Sequence, residues 1–324
     1  MKKALICLLI AILLTGCGTP GPEEEHLIRV GFSQVGSESD WRIANTASMT
    51  AALSEANGYE LLFDNAKQRQ ENQLLAIRNF IQQDVDYIVL APITESGWDD
   101  VLQEAKGSGI PVIIVDRRIA VSDDSLYTSW VGSDFLAEGR RAVRWLEEQL
   151  QAQGREQEPL RILHIQGTYG ATAQLLRTRA LTEAVETHPN WKIVAQLPGE
   201  YTEAKSYELM RDFLQTGQEI DVIYSENDNM SFGAIRALEE AGIPCGGEGE
   251  IMVLSFDAVH RALELCHDGK ISLCVECNPL HGPRVAALLQ QLENGSTPAK
   301  LTFVDELAFD REMLTDDMIR DREY

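Results

Sequence analysis

The chain has 324 residues, with 28 Lys and Arg against 51 Asp and Glu, a formal net charge of −23 at pH 7 and 44% hydrophobic residues. This composition is typical of globular proteins, and at roughly 100–200 residues per domain the length indicates about two domains. Nucleic acid is not an expected partner, because phosphate binding needs clustered Lys and Arg. No apolar run reaches the ~20 residues that a membrane-spanning helix needs.

The N-terminus has the pattern of a bacterial export signal. Lys2 and Lys3 precede an apolar run over 4–14, which is too short to span a membrane. The run ends in the letters LTGC, at Cys17, and this ending resembles the lipobox of bacterial lipoproteins, in which cleavage precedes the cysteine and lipid is attached to it. We therefore expect a signal peptide over 1–16 and a lipid on Cys17, the alternative being a plain signal peptide with a chance cysteine.

The segment over 17–26 follows this signal. It holds two prolines and three consecutive glutamates, so it cannot pack into a core. We expect it to act as a flexible tether between the membrane and the folded part of the chain.

Four cysteines remain once Cys7 leaves with the signal and Cys17 takes lipid. Export permits disulfides, and four cysteines allow three complete pairings, which the sequence does not separate. A metal site formed by the C-x-x-C segment 274–277 with His267 and His281 would lack the usual second spaced pair, so we expect no metal. The four are Cys245, Cys266, Cys274 and Cys277.

Short β-branched runs alternate with helical-period segments along the rest of the chain, a pattern typical of parallel βαβ units and of an α/β fold. A first series of strands and helices is predicted at 28–32, 40–57, 60–64, 69–83, 87–90, 95–107 and 112–115. A second series is predicted at 161–165, 170–187, 192–196, 203–215, 222–224, 229–241 and 251–256. The two series are similar, so we expect two doubly wound lobes, with 271–276, a helix near 280–293 and the tail passing between them.

Charged residues follow corresponding strands of the two series. Asp116 and Asp257 come directly after buried apolar strands, at the edge where parallel sheets bind ligands. Asp116 with Arg117 places an acceptor beside a forked donor, which suits the vicinal hydroxyls of a sugar, and a surface ion pair is the alternative. The amide of Asn227 both donates and accepts, which suits a neutral polyol, and a helix N-cap is its alternative.

Three further residues are candidates for the same site. Trp41, next to Arg42 in the loop after the first strand, and Tyr201 in the second series can each lie against the C–H face of a sugar ring, although packing is the alternative for both. Arg177 lies on the helix opened by the segment 167–170, and a solvated helix face is its alternative.

Catalysis has little support in the sequence. No nucleophile elbow, HExxH, Walker or dinucleotide motif occurs, and the six histidines make no nucleophile triad. Glu276 and Asp257 could be read as a glycosidase pair, but carboxylates also serve as plain hydroxyl acceptors. We expect a binding protein without a cofactor rather than an enzyme.

Several segments resemble the type I periplasmic sugar-binding proteins of ABC importers, the ribose-binding-protein group, and within it the galactofuranose-binding members. The segments are 30–42, 69–73, 110–117, 166–171 and 227–230. The resemblance implies two lobes joined by a three-stranded hinge, at about 27–132 plus 277–304 and 133–276 plus 305–324.

The same resemblance implies a set of sugar contacts. Tyr201 stands where the family has phenylalanine. Glu276 stands where ribose binders have glutamine, and Arg42 stands where they tend to carry an aromatic residue, so Glu276 and Arg42 favour galactofuranose. The four C-terminal cysteines lie outside the family pattern. The implied contacts are Trp41, Arg42, Asp116 and Arg117 from the first lobe, with Arg177, Tyr201, Asn227, Asp257 and Glu276 from the second lobe and the hinge.

The function that these patterns predict is capture of a monosaccharide by lobe closure. The resemblance implies a monomeric, extracytoplasmic, lipid-anchored receptor that delivers its sugar to an ABC permease and its ATPase. A sugar-sensing subunit for a membrane histidine kinase or chemoreceptor is the alternative. A soluble repressor is opposed by the export signal and by the lack of a helix-turn-helix before Ile28.

Overall fold

The computed structural model describes residues 27–247 and 250–324. The predicted signal peptide (1–16), the lipid site at Cys17 and the predicted tether (17–26) lie outside the described residues. Among the helices that are described, none has the length and apolar character needed to cross a membrane.

The strands follow the predicted alternation with helices. Those at 87–90 and 112–115 have the predicted bounds, and the other predicted strands agree within two residues at each end. The strands are β1 (Ile28–Gln34), β2 (Tyr59–Asn65), β3 (Tyr87–Leu90), β4 (Val112–Val115), β5 (Ser129–Gly132), β6 (Leu160–Gln166), β7 (Trp191–Pro198), β8 (Val222–Ser225), β9 (Met252–Asp257), β10 (Leu273–Glu276), β11 (Leu301–Phe303) and β12 (Ala308–Phe309).

These strands form two sheets of the same design, and the predicted α/β class with two similar doubly wound halves is confirmed. The first sheet has the order β11-β5-β4-β3-β1-β2 and the second the order β12-β10-β9-β8-β6-β7. All pairings are parallel except that of β10 with β12, which is antiparallel. The inner strands are continuous runs of buried Val, Ile and Leu, as sheets covered by helices on both faces require.

The helices cover the faces of both sheets. The predicted helix at 40–57 ends early, at Ala52, and the helix predicted from 95 begins at Asp99. The helices are α1 (Asp40–Ala52), α2 (Gln70–Gln82), α3 (Asp99–Gly107), α4 (Phe135–Ala152), α5 (Thr172–Thr187), α6 (Glu203–Leu214), α7 (Asp228–Glu240), α8 (His260–His267), α9 (Gly282–Glu293) and α10 (Asp316–Arg320).

One long helix, α4, was absent from the sequence prediction. Its N-cap is Asp134, whose side chain accepts a hydrogen bond from the backbone N–H of Ala137 at 3.0 Å. Phe135, Leu146 and Leu150 are buried on one face of it. This amphipathic pattern is the signal from which the helix could have been found.

The chain passes between the two sheets three times. It leaves the first sheet after β5, returns to it after β10 to form β11, and enters the second sheet again at β12. The three crossing segments lie side by side, because Ser133 donates a hydrogen bond to Glu306 Oε1 at 2.6 Å and the backbone N–H of Asn278 donates to the same oxygen at 2.7 Å. One carboxyl group therefore ties the three crossings together.

Candidate ligand-binding site

A small cavity, of about 30 Å³, lies where the carboxyl ends of the two sheets face each other. Both sheets contribute to its wall, together with Cys277 from the second crossing. Eight of the nine predicted ligand-binding residues line it, namely Trp41, Arg42, Asp116, Arg117, Arg177, Tyr201, Asn227 and Asp257. All eight are at most 5% exposed, so the side chains that line the cavity are shielded from solvent.

Hydrogen bonds join the two halves around this cavity. The backbone N–H of Arg118 donates to Thr172 Oγ1 at 2.9 Å, and Thr172 Oγ1 donates to the backbone carbonyl of Arg118 at 3.1 Å. The backbone N–H of Asp40 donates to Asn229 Oδ1 at 3.0 Å, on the other side. The two halves are therefore in contact across the cleft.

On the side of the first sheet, Arg42 is held by carboxylates and an amide. Its Nη2 lies 2.9 Å from Asp116 Oδ2, its Nε lies 3.2 Å from Glu38 Oε1, and its Nη1 donates to Gln34 Oε1 at 3.2 Å. Burial opposes the charge, but the carboxylates of Asp116 and Glu38 outweigh it and raise the pKa of Arg42. Arg42 is therefore a fixed cation with a preset orientation.

Arg117 is the second cation on this side. Its Nη1 donates to the backbone carbonyl of Ile93 at 2.9 Å, and its guanidinium carbon lies 5.2 Å from the centre of the Tyr201 ring. Burial and the nearby charge of Arg42 lower the pKa of Arg117. Asp116 Oδ2 is 4.0 Å from its Nε, so Arg117 lines the cavity with only a loose carboxylate partner.

On the side of the second sheet, Arg177 is engaged mainly with the protein. Its Nε donates to Glu138 Oε2 at 2.8 Å and its Nη1 donates to the backbone carbonyl of Glu226 at 2.5 Å. Its Nη2 is 3.7 Å from Asp257 Oδ1, a loose ion pair. Burial, only partly offset by Arg177, raises the pKa of Asp257 well above its ordinary value.

Both site aspartates have a strained backbone. Asp116, directly after β4, has φ 64°, and Asp257, at the end of β9, has φ 114°. Such conformations cost of order 1–3 kcal/mol in residues other than glycine and concentrate at functional sites. Both strained residues line the cavity.

Trp41 and Asn227 have structural partners as well as cavity surface. Trp41 Nε1 donates to the backbone carbonyl of Cys277 at 2.7 Å, so the indole is anchored to the second crossing. Asn227 caps α7, accepting from the backbone N–H of Met230 at 2.9 Å. The alternatives of packing for Trp41 and capping for Asn227 are thus both real, and each residue also lines the cavity.

Glu276 is the one predicted site residue that does not line the cavity. Its Oε1 accepts from Arg322 Nη1 at 2.7 Å and from the Tyr324 hydroxyl at 2.8 Å, and its Oε2 accepts from the backbone N–H of Leu307 at 3.0 Å. Burial opposes the charge of this carboxylate, but the bonds from Arg322 and Tyr324 outweigh it, so the pKa of Glu276 is lowered. Glu276 holds the C-terminal tail against the third crossing.

Sequence reasoning missed several residues of the cavity and its support. Glu38, Ser39, Phe135, Ala173 and Cys277 also line the wall. Ser39 could have been found as the N-cap of α1, since its hydroxyl accepts from the backbone N–H of Arg42 at 3.2 Å.

A buried acidic cluster lies behind the cavity, where the crossings meet. A carboxyl oxygen of Glu138, a carboxyl oxygen of Glu306 and the sulfur of Cys277 all lie within 4.8 Å of one another. Burial and the neighbouring Glu138 raise the pKa of Glu306 to about 9, so this carboxyl group is protonated at neutral pH. The guanidinium of Arg177 compensates the carboxyl group of Glu138, and the bound proton compensates that of Glu306.

The cysteines downstream of the predicted lipid site are buried free thiols. Cys245, Cys266, Cys274 and Cys277 form no disulfide with one another in the part of the chain that the structure describes. None of the three pairings considered from the sequence is present.

This fold and cavity have relatives among known proteins. The family model of the periplasmic binding protein domain matches residues 30–296. The galactofuranose-binding protein YtfQ of Escherichia coli (strain K12) is 36% identical over 305 residues, which are 93% of this chain and 92% of the relative.

Two solved structures are similar along nearly the whole chain. A Mycobacterium smegmatis protein in complex with β-D-fucofuranose has a TM-score of 0.83 and 40% identity, covering 88% of this chain and 92% of that one. The periplasmic binding protein of the arabinose ABC transporter from Shewanella sp. ANA-3, bound to α- and β-L-arabinofuranose, has a TM-score of 0.84 and 39% identity, covering 91% and 95%.

These matches confirm the resemblance seen in the sequence. The relatives are solute-binding proteins, which confirms the prediction of a binding protein rather than an enzyme. The family also places its members outside the cytoplasm, as the export signal predicted. The chain belongs to the periplasmic binding protein family.

Proposed function

We propose that this protein captures a monosaccharide, with galactofuranose as the first candidate, and delivers it to an ABC permease and its ATPase. The observation that carries the proposal is the cavity between the sheets, lined by three buried arginines, two buried aspartates and a buried amide. Charge-assisted hydrogen bonds from such groups suit the hydroxyls of a neutral sugar. Relatives that bind galactofuranose, fucofuranose and arabinofuranose support a furanose.

Four charged or polar groups and two aromatic rings of the cavity have roles in this proposal. Arg42 and Arg117 donate to sugar oxygens, and Asp116, oriented by Arg42 at 2.9 Å, accepts from a hydroxyl. Asp257, with its raised pKa, both donates and accepts from the opposite side. The faces of Trp41 and Tyr201 pack against the C–H groups of the ring.

The capture step is closure of two lobes around the sugar. We assign 27–132 plus 277–304 to the first lobe and 133–276 plus 305–324 to the second, with the three crossings as the hinge. Each lobe alone offers half of the polar groups, so a bound sugar stabilises the closed form. The hydrogen bonds between Arg118 and Thr172 across the cleft support this closed arrangement.

The location follows from the N-terminal pattern. We propose that the signal peptide is removed, that Cys17 carries lipid, and that the mature monomer is tethered to the outer face of a membrane by 17–26. Mass spectrometry of the membrane-extracted protein tests this, and an unmodified N-terminus would contradict it.

Titration calorimetry on refolded, ligand-free protein tests the sugar assignment. D-Galactose, which supplies galactofuranose as a minor form in solution, is compared with D-ribose. We expect the galactose solution to bind more tightly per mole of furanose, because Arg42 offers donors for hydroxyls that a pentose lacks, and a site built for them rejects a sugar without them by up to ~10⁴-fold. Equal affinity for ribose, or an unchanged ratio in Arg42→Phe, would overturn the choice of galactofuranose.

A further inference from the structure

The hydroxyl of Tyr201 is a polar group that the fold leaves without a partner. The residue is 4% exposed, and its Oη accepts or donates no hydrogen bond within the described residues. The equally buried Tyr224 differs, because its hydroxyl donates to the backbone carbonyl of Arg177 at 3.0 Å. A buried polar group without a partner costs about 1–3 kcal/mol, so an orphan at this position needs an explanation.

The surroundings of this hydroxyl place it beside the cavity. Burial raises the pKa of Tyr201 strongly, and the charges that act on it are those of Glu226, Arg117, Arg177 and Asp257. The last three of these line the cavity, as Tyr201 itself does. The hydroxyl therefore lies among the groups that would surround a sugar.

The position of the ring is enforced from two directions. A Cβ atom on Gly167 would lie 1.9 Å from Cζ of Tyr201, so the ring packs directly on the backbone of that glycine. Glu200 and Tyr201 both have positive φ, 54° and 64°, and the turn is pinned by the backbone N–H of Glu200, which donates to the carbonyl of Gln166 at 3.1 Å. The phenol cannot swing to another partner without disturbing this turn.

We infer that Tyr201 is a specificity-determining residue whose hydroxyl bonds one particular hydroxyl of the bound sugar. The inference rests on the proposed function and adds to it a preference between closely related sugars. A phenylalanine here would offer the same ring without the bond. A sugar that lacks the matching hydroxyl leaves the phenol unpartnered, and the protein therefore discriminates against that deoxy sugar.

The test is Tyr201→Phe, titrated calorimetrically in ligand-free form with D-galactose, its single deoxy analogues including D-fucose, and L-arabinose. We expect the variant to lose roughly 5- to 100-fold in affinity for the parent sugar, since one buried partner is removed. One analogue should bind wild type and variant equally. The melting temperature without sugar should stay the same or rise, because the hydroxyl makes no bond in the described protein.

Tyr207→Phe is the matched control, because it removes a hydroxyl that donates to Glu240 at 2.6 Å on an exposed helix. Affinities of Tyr201→Phe within twofold of wild type for every sugar, or an equal loss for every sugar, would overturn the inference. A lower melting temperature with unchanged sugar ratios would also overturn it, by assigning the hydroxyl a structural role. If wild type binds no sugar of the panel, the proposed function itself fails.

Discussion

The two sides of the cavity share a plan but differ in how their charges are balanced. Each side presents an aspartate with positive φ after a central strand and an arginine from a helix. On the first side Arg42 lies 2.9 Å from Asp116, while on the second Arg177 lies 3.7 Å from Asp257 and is closer to Glu138, at 2.7 Å.

Equivalent positions in the two halves therefore carry different chemistry. Asp116 has a close cation, because Arg42 Nη2 lies 2.9 Å from its Oδ2 and holds the carboxyl group in place. Asp257 has only a loose ion pair, with Arg177 at 3.7 Å, and burial raises its pKa well above its ordinary value. A sugar between them meets an acceptor on one side and a group that also donates on the other.

The largest expected effect comes from removing the charges of the first side. Asp116→Ala and Arg117→Ala should each abolish measurable sugar binding while the fold survives, because the remaining buried groups lose partners at about 1–3 kcal/mol per neutral group and more for charged ones. Calorimetric titration gives the affinity and circular dichroism checks the fold. Arg140→Ala is the control, since Arg140 pairs with Glu183 on the surface. Both site variants binding within a few-fold of wild type would disprove the site.

A smaller contrast separates the two aspartates directly. Asp257→Asn should weaken sugar binding by less than about 5-fold, because a neutral amide resembles a protonated carboxyl group in shape and hydrogen bonding. Asp116→Asn should weaken it by about 100-fold, since Arg42 then loses a buried carboxylate. Calorimetric titrations of the two variants with the same sugar give the two losses of affinity to be compared. Equal losses would contradict the protonated carboxyl group inferred for Asp257.

The smallest effect is on the pH dependence of stability, and it comes from the buried acidic cluster of Glu138, Cys277 and Glu306. The pKa of Glu306 is raised from 4.5 to about 9 by burial and by Glu138. The folded state therefore keeps a proton that the unfolded state releases, and the free energy of unfolding falls as pH rises from about 5 to about 9. Glu306→Gln should lose less stability over this range than wild type.

Urea unfolding at pH 6 and pH 9 measures this dependence. Asp305→Asn, next to Glu306 but exposed, serves as the control and should keep the wild-type slope. A Glu306→Gln protein with the same pH dependence as wild type would show that Glu306 is ionised throughout.

Local pattern was enough to predict most of the fold and several of the residues that line the cavity. Strands such as β3 and β4 are short apolar runs with clear boundaries, and the residues after them fall at the ligand edge of any parallel sheet. Asp116, Arg117 and Asp257 were found by this rule alone. Arg42 and Arg177 needed the family resemblance, because a helical arginine has no local mark that separates a site from a solvated face.

The misses arise from contacts between distant parts of the chain. Glu276 ends a strand beside Asp257, as the rule requires, yet Arg322 and Tyr324 from the C-terminal tail draw its carboxylate away from the cavity. Glu138 was missed because α4 was missed, and only the folded structure brings it to Arg177. The spacing of residues along the sequence does not indicate which residues pair when they are so far apart.

The late return of the chain to the first sheet has a consequence for folding kinetics. Leu301 in β11 pairs with Trp130 in β5, and the backbone N–H of Trp130 donates to the carbonyl of Lys300 at 2.9 Å. An edge of the first sheet thus stays unpaired until almost the whole chain has been made. Pairings of such long sequence separation form slowly, so we expect folding to finish only after synthesis and a fragment ending before β11 to aggregate through that open edge.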